Sequence, residues 1–179
     1  MRKARRPPSK RSDPREPAPL DADAARGRAL KLLSRREHSA AELSLKLRRR
    51  GAEAEVADAA VGRMRDAGLQ SDARYAEMLV RNRIAQGYGP LRIRAELAAA
   101  GIADADARAA LDAADCDWHE RCAELRRRKF RALPNGAAEW QKQYRFLASH
   151  GFAADAIRAV LKASPAPAED WTEPFEESP

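Results

Sequence analysis

A fifty-residue spacing of glycines constrains this chain more than any other feature. Gly51, Gly101 and Gly151 lie 50 residues apart, and Leu47, Leu97 and Leu147 each precede one of them by four. Val61, Leu111 and Leu161 each follow by ten. Leu-x-x-x-Gly is the end of an amphipathic helix, with a core residue one turn before a left-handed C′ glycine. Recurrence at a fixed period marks a stack of like supersecondary units. Each unit reads as a leading helix, a short helix ending at the glycine, and a third helix beyond it. The leading helices begin near Asp21, Asp72 and Asp117. A three-helix unit of this size hides little apolar surface alone, so stacked neighbours complete its core. The expected fold class is all-α: nine helices as three tandem three-helix repeats in an elongated, curved array.

Local signals agree. Residues 20–163 are rich in strong helix formers, and no stretch alternates with the period of a strand. Ser39-Ala40-Ala41-Glu42 is a capping box, and Arg48 to Arg50 crowd the last turn before Gly51. A helix over Ala54–Ala67 turns Val56, Ala57, Ala60, Val61 and Met64 inward and closes at Gly68. Ser71 caps the next helix, which carries Tyr75, Leu79 and Ile84. Gly87-Tyr88-Gly89-Pro90 is a helix–helix turn with left-handed glycines, and Pro90 suits the first helical position. The expected organisation is a basic, Pro-rich tail over 1–19, repeats over 20–68, 69–115 and 116–163, and an acidic tail over 164–179.

Charge follows the same division. The chain of 179 residues has a formal charge of +7. Residues 1–19 contribute +5 and residues 164–179 contribute −5. Both ends lack apolar periodicity and are rich in Pro, so disorder is expected there. Trp171 sits among Glu169, Asp170 and Glu173, and composition favours a solvated segment over one folded onto the basic body. No run approaches the ~18 apolar residues of a membrane span. Two cysteines build no disulfide framework, and a reducing, cytoplasmic compartment is expected.

Catalytic chemistry finds little support. Cys116, His119 and Cys122 are spaced i, i+3, i+6, without the second pair a structural zinc needs. They read as a helical stripe of small residues with a solvent-facing His. The Gly87–Gly89 turn lacks the Lys-Ser/Thr of a phosphate-binding loop. His38, His119 and His150 are remote from one another and read as surface or loop residues. No enzyme, metal or cofactor is expected. The basic clusters say more. Arg81, Arg83, Arg92 and Arg94 form one group, Arg126, Arg127 and Arg128 another, and Arg48 to Arg50 a third. Together they point to a polyanion-facing surface.

The repeats also resemble a known family. Ala29-Leu30-x-Leu32-Leu33 with Arg36-x-His38-Ser39-x-x-Glu42-Leu43-x-x-Lys46-Leu47-x-x-x-Gly51 is similar to the first repeat of the RecX proteins, bacterial regulators of the RecA recombinase. Asp72-x-Arg74-Tyr75-Ala76, Arg81-x-Arg83 and Gln86-Gly87-Tyr88-Gly89-Pro90-x-Arg92-Ile93-x-x-Glu96-Leu97-x-x-x-Gly101-Ile102 resemble the second. Trp118, Arg128-Lys129-Phe130 and Arg145-Phe146-Leu147-x-x-x-Gly151-Phe152 resemble the third. The likeness covers residues 24–163. Ser71-Asp72 stands where the family often has two adjacent acids.

The resemblance implies a monomer that binds along the RecA–single-stranded-DNA filament. It implies inhibition of RecA's ATPase, strand-exchange and co-protease activities, and so modulation of DNA repair and recombination. Charge and position assign the filament contact to Arg81, Arg83, Arg92, Arg94, Arg126, Arg127 and Arg128, with direct DNA contact possible. The competing readings are a single-stranded-DNA-binding helical repeat that acts without touching RecA, and a scaffold for another acidic protein.

Overall fold

The structure, a computed structural model, describes residues 20–162. The expected disorder of residues 1–19 and 164–179 concerns segments outside the described residues. Nine helices and no strand occur among the described residues. They are α1 Ala22–Leu33, α2 Ala40–Arg48, α3 Ala54–Asp66, α4 Asp72–Ala85, α5 Pro90–Ala99, α6 Asp104–Ala113, α7 Trp118–Lys129, α8 Ala137–Ser149 and α9 Ala154–Leu161.

The fifty-residue periodicity is realised as expected. Gly51, Gly101 and Gly151 have φ of 93°, 76° and 85°. This left-handed backbone suits glycine because it has no Cβ to clash. The amide after each glycine, on Ala52, Ile102 and Phe152, donates to the carbonyl of Leu47, Leu97 or Leu147, closing the end of each short helix. Those three leucines are fully buried. Capping at α4 also follows the sequence, with Ser71 accepting from the Arg74 amide at 3.3 Å.

Two compact units result: residues up to 36 with 41–70, and residues 37–40 with those from 71 onward. In the first, α1 packs on α3, and Ala25, Ala29, Ala57, Ala60, Val61 and Met64 are buried. The Leu20 amide donates to the Gly51 carbonyl at 3.0 Å, tying the chain's entry to the α2–α3 turn. The second unit holds two cores. Tyr75, Ala76, Leu79, Val80, Ile93 and Leu97 centre the one made by α4, α5 and α6. Cys122, Leu125, Leu147, Phe152, Ile157 and Leu161 centre the one made by α7, α8 and α9, where Trp118, Trp140, Tyr144 and Phe146 also pack.

Backbone fuses these two cores. The amides of Gly89 and Leu91, at the start of α5, donate to the carbonyls of His150 and Gly151 at 2.7 and 3.1 Å. Orphan donors at one helix N-terminus thus meet orphan acceptors at another's C-terminus. The approach is so close that a Cβ on Gly89 would lie 2.4 Å from the Gly151 carbonyl oxygen. This corrects the expectation of left-handed glycines throughout the turn. Gly87 has φ 84°, but Gly89 is extended (φ −87°, ψ 169°) and is glycine because another backbone lies against it.

Three further expectations are revised. His38 is buried, not a surface residue. Cys116 precedes α7 and Cys122 is buried within it, so the two cysteines and His119 share no helical stripe. The Ser39 hydroxyl, read as a capping acceptor, also donates to the Ala100 carbonyl at 2.7 Å, while Glu42 pairs with Arg36 and Lys46.

Candidate basic interaction surface

The seven arginines assigned from sequence all lie in the second unit, on α4, α5 and α7. The arginines of α4 and α5 each have an acid. Arg81 lies 3.7 Å from Glu77, and Arg94 lies 3.9 Å from Asp104. Arg83 and Arg92 converge on one carboxylate: Arg83 Nε donates to Glu96 at 2.5 Å and Arg92 Nε at 3.3 Å. Arg92 Nη1 also donates to the Ser149 carbonyl at 3.3 Å, at the negative end of α8, and its guanidinium sits 4.3 Å from the Tyr88 ring centroid. Arg92 therefore works inside the Gly89–Gly151 junction. Tyr88 stacks on His150 at 5.8 Å, and His150 meets Phe146 at 4.3 Å. His150 Nδ1 lies 2.8 Å from the Phe146 carbonyl, which sets that nitrogen as the donor.

The α7 group differs. Arg126, Arg127, Arg128 and Lys129 fill its last turn, and Arg131 follows. Arg127 pairs with Glu120 at 2.6 Å. Arg126 is half-buried, and its Nη1 is buried without a hydrogen bond. Arg128, Lys129 and Arg131 are exposed and make no ion pair among the described residues. Lys129 Nζ lies 5.7 Å from the Phe146 ring. On α8, Lys142 and Arg145 are likewise exposed and unpaired among the described residues. Beyond about one Debye length (~8–10 Å) a polyanion responds to net charge, not to paired charge. The field is therefore stronger at the end of α7 than over α4 and α5.

Arg128 links the groups. Its Nη2 lies 3.8 Å from where a Cβ on Gly87 would stand, which brings the α7 cluster beside the turn that gathers Arg83, Tyr88 and Arg92. Arg81 and Arg94 do not join them. Arg81 lines a groove with Ala110, Ala113 and Arg121, and Arg94 turns to Asp104 on α6. Lys129 and Arg131 were left out of the sequence-based set. The available signal was the lack of any acid three or four residues from either.

Neither cysteine is poised as a nucleophile. Burial pushes the Cys122 thiol up to about 11. Burial also raises Cys116, only partly opposed by its hydrogen bond to Arg121. Both stay protonated near neutral pH. No group of His, Cys, Asp or Glu among the described residues is arranged to hold a metal ion, and no described helix is long and apolar enough to cross a membrane.

The comparisons cover most of the chain. Models of the RecX first, second and third three-helix domains match residues 25–64, 71–111 and 115–161. The regulatory protein RecX of Stenotrophomonas maltophilia is 43% identical over 160 residues, spanning 89% of this chain and 94% of that protein. RecX of Ectopseudomonas mendocina is 46% identical over 140 residues, spanning 78% and 93%. Among solved structures, a crystal structure of a regulatory protein RecX aligns with a TM-score of 0.68 at 25% identity, covering 79% of this chain and 71% of the other. RecX from Lactobacillus salivarius aligns with a TM-score of 0.69 at 24% identity, covering 80% and 96%. With three domain models matched in order and relatives above 40% identity over nearly their whole length, this chain belongs to the RecX family of regulatory proteins.

Proposed function

We propose that this protein is a negative regulator of the RecA recombinase, acting as a monomer in the cytoplasm. It binds the RecA–single-stranded-DNA filament and inhibits ATPase, strand exchange and co-protease activity, thereby modulating recombination and repair. Family membership supports the partner. One observation supports the surface: the unpaired cations at the end of α7, Arg128, Lys129 and Arg131, beside half-buried Arg126. Unpaired guanidinium and ammonium groups meet phosphate or carboxylate without first giving up an internal partner. Within the seven candidate arginines, Arg126, Arg127 and Arg128 therefore carry more of the contact than Arg81, Arg83, Arg92 and Arg94, whose charges are partly spent on Glu77, Glu96 and Asp104.

The test is a titration of this protein into RecA hydrolysing ATP on single-stranded DNA, with excess free DNA as decoy. Inhibition that survives the decoy supports filament binding. Inhibition that the decoy abolishes assigns the protein instead to DNA binding without RecA contact.

A further inference from the structure

The unpaired cations of α7 stand close to where a strongly acidic stretch of the same chain begins. The described residues end at Lys162, directly after α9, and α9 packs on α7. Beyond it lie Glu169, Asp170, Trp171, Glu173, Phe175, Glu176 and Glu177, with no base from residue 163 onward. We propose that this segment docks in cis on the basic end of α7. Its carboxylates pair with Arg128, Lys129 and Arg131, and the Trp171 ring packs on those cations.

Three observations carry this. Charge is complementary: the segment is net −5, and its target is a run of bases without ion pairs among the described residues. Reach is sufficient, because nine extended residues separate Trp171 from Lys162 by up to ~30 Å, whereas a helix of α7's length spans ~18 Å. Chemistry fits as well, since an indole among carboxylates offers both a ring for cation–π contact and acceptors for guanidinium donors. Composition alone favours a solvated segment. The unpaired cations shift that balance, because a short tether holds the acids near them at roughly millimolar effective concentration. Where the proposed function holds, the docked segment covers the filament-binding surface and competes with the polyanion. The docking itself does not depend on that function.

Fluorine NMR of the full chain carrying 5-fluorotryptophan tests it. The three signals, from Trp118, Trp140 and Trp171, are assigned by Trp171→Phe. In low salt the Trp171 signal is expected away from its position in 0.5 M NaCl, where exposed ion pairs are screened. The exposed-site variant Arg128→Glu/Lys129→Glu/Arg131→Glu, checked for folding by circular dichroism, should return it to the high-salt position. So should Glu169→Gln/Asp170→Asn/Glu173→Gln. A Trp171 signal that salt and both variants leave unmoved overturns the proposal. A shift that depends on protein concentration also overturns it, in favour of a second copy as the occupant. A RecA arm separates the two readings: the Gln/Asn variant should inhibit at a concentration lower by roughly threefold or more at low salt. Docking seen by NMR with unchanged inhibition keeps the docking and rejects the competition. Absence of any inhibition rejects the filament reading and leaves the NMR result standing.

Discussion

Replacing Gly89 by alanine should do disproportionate damage for the addition of one methyl group. The new Cβ would stand 2.4 Å from the Gly151 oxygen, 2.5 Å from its carbonyl carbon and 2.7 Å from the Phe152 nitrogen. All three are backbone atoms, so no rotamer change relieves the contact. The two segments must separate, which lengthens or breaks the bonds from the Gly89 and Leu91 amides. A buried donor left without its acceptor costs about 1–3 kcal/mol. Two such losses, softened by water reaching one of them, give a destabilisation of about 2–4 kcal/mol for the second unit. Gly27→Ala supplies the opposite control. Gly27 lies inside α1 with nothing within 4 Å of an added Cβ, so helix propensity should raise stability by about 0.5–1 kcal/mol. Native-state hydrogen exchange reads the effect locally. In Gly89→Ala the Leu91 amide and the core amides of α5 and α8 should lose protection by that amount, while α1 and α3 keep theirs. Protection within about 0.5 kcal/mol of the original protein across α5 and α8 would refute the argument that backbone contact fuses the two cores.

Three further outcomes are expected. Leu147→Ala, at a fully buried site, should lower stability by about 2–5 kcal/mol in urea unfolding, with the loss confined to the second unit. Cys122 links stability to alkaline pH, because its folded value of about 11 exceeds the ordinary 9.0. The neutral thiol is favoured in the folded state, so this contribution is complete below pH 9 and is lost as pH rises from 9 toward 11. It amounts to about 2–3 kcal/mol, and the difference between the pH profiles of the original protein and Cys122→Ala measures it. In thiol counting with a disulfide reagent at pH 8, half-buried Cys116 should react before buried Cys122.

Much of the fold was legible because its signals are local. The spacing of Gly51, Gly101 and Gly151 and the leucines four residues before them mark helix ends that the chain makes with its own neighbours. The Ser71 cap and Pro90 at the start of α5 are of the same kind. What escaped depends on contacts remote in sequence. Gly89 resembles any turn glycine until Gly151 is brought against it, 62 positions further along. His38 carries no mark of burial. Arg83 looks as available as Arg128, because Glu96, its partner, is 13 residues away. The candidate surface was therefore legible as a set of cations but not in its ranking. That ranking depends on which charges the fold neutralises.

The most direct test of the central claim compares two charge reversals in the RecA ATPase titration on single-stranded DNA. The account expects Arg127→Glu/Arg128→Glu to raise the half-inhibitory concentration by roughly tenfold or more, since two charge-assisted contacts are each worth about 1 kcal/mol or more. It expects Arg81→Glu/Arg94→Glu, which reverses two arginines already paired with acids, to raise it several-fold less. Equal inhibition by the original protein and the α7 variant, with the variant's helix content intact, would contradict the assignment of the filament-binding surface to α7.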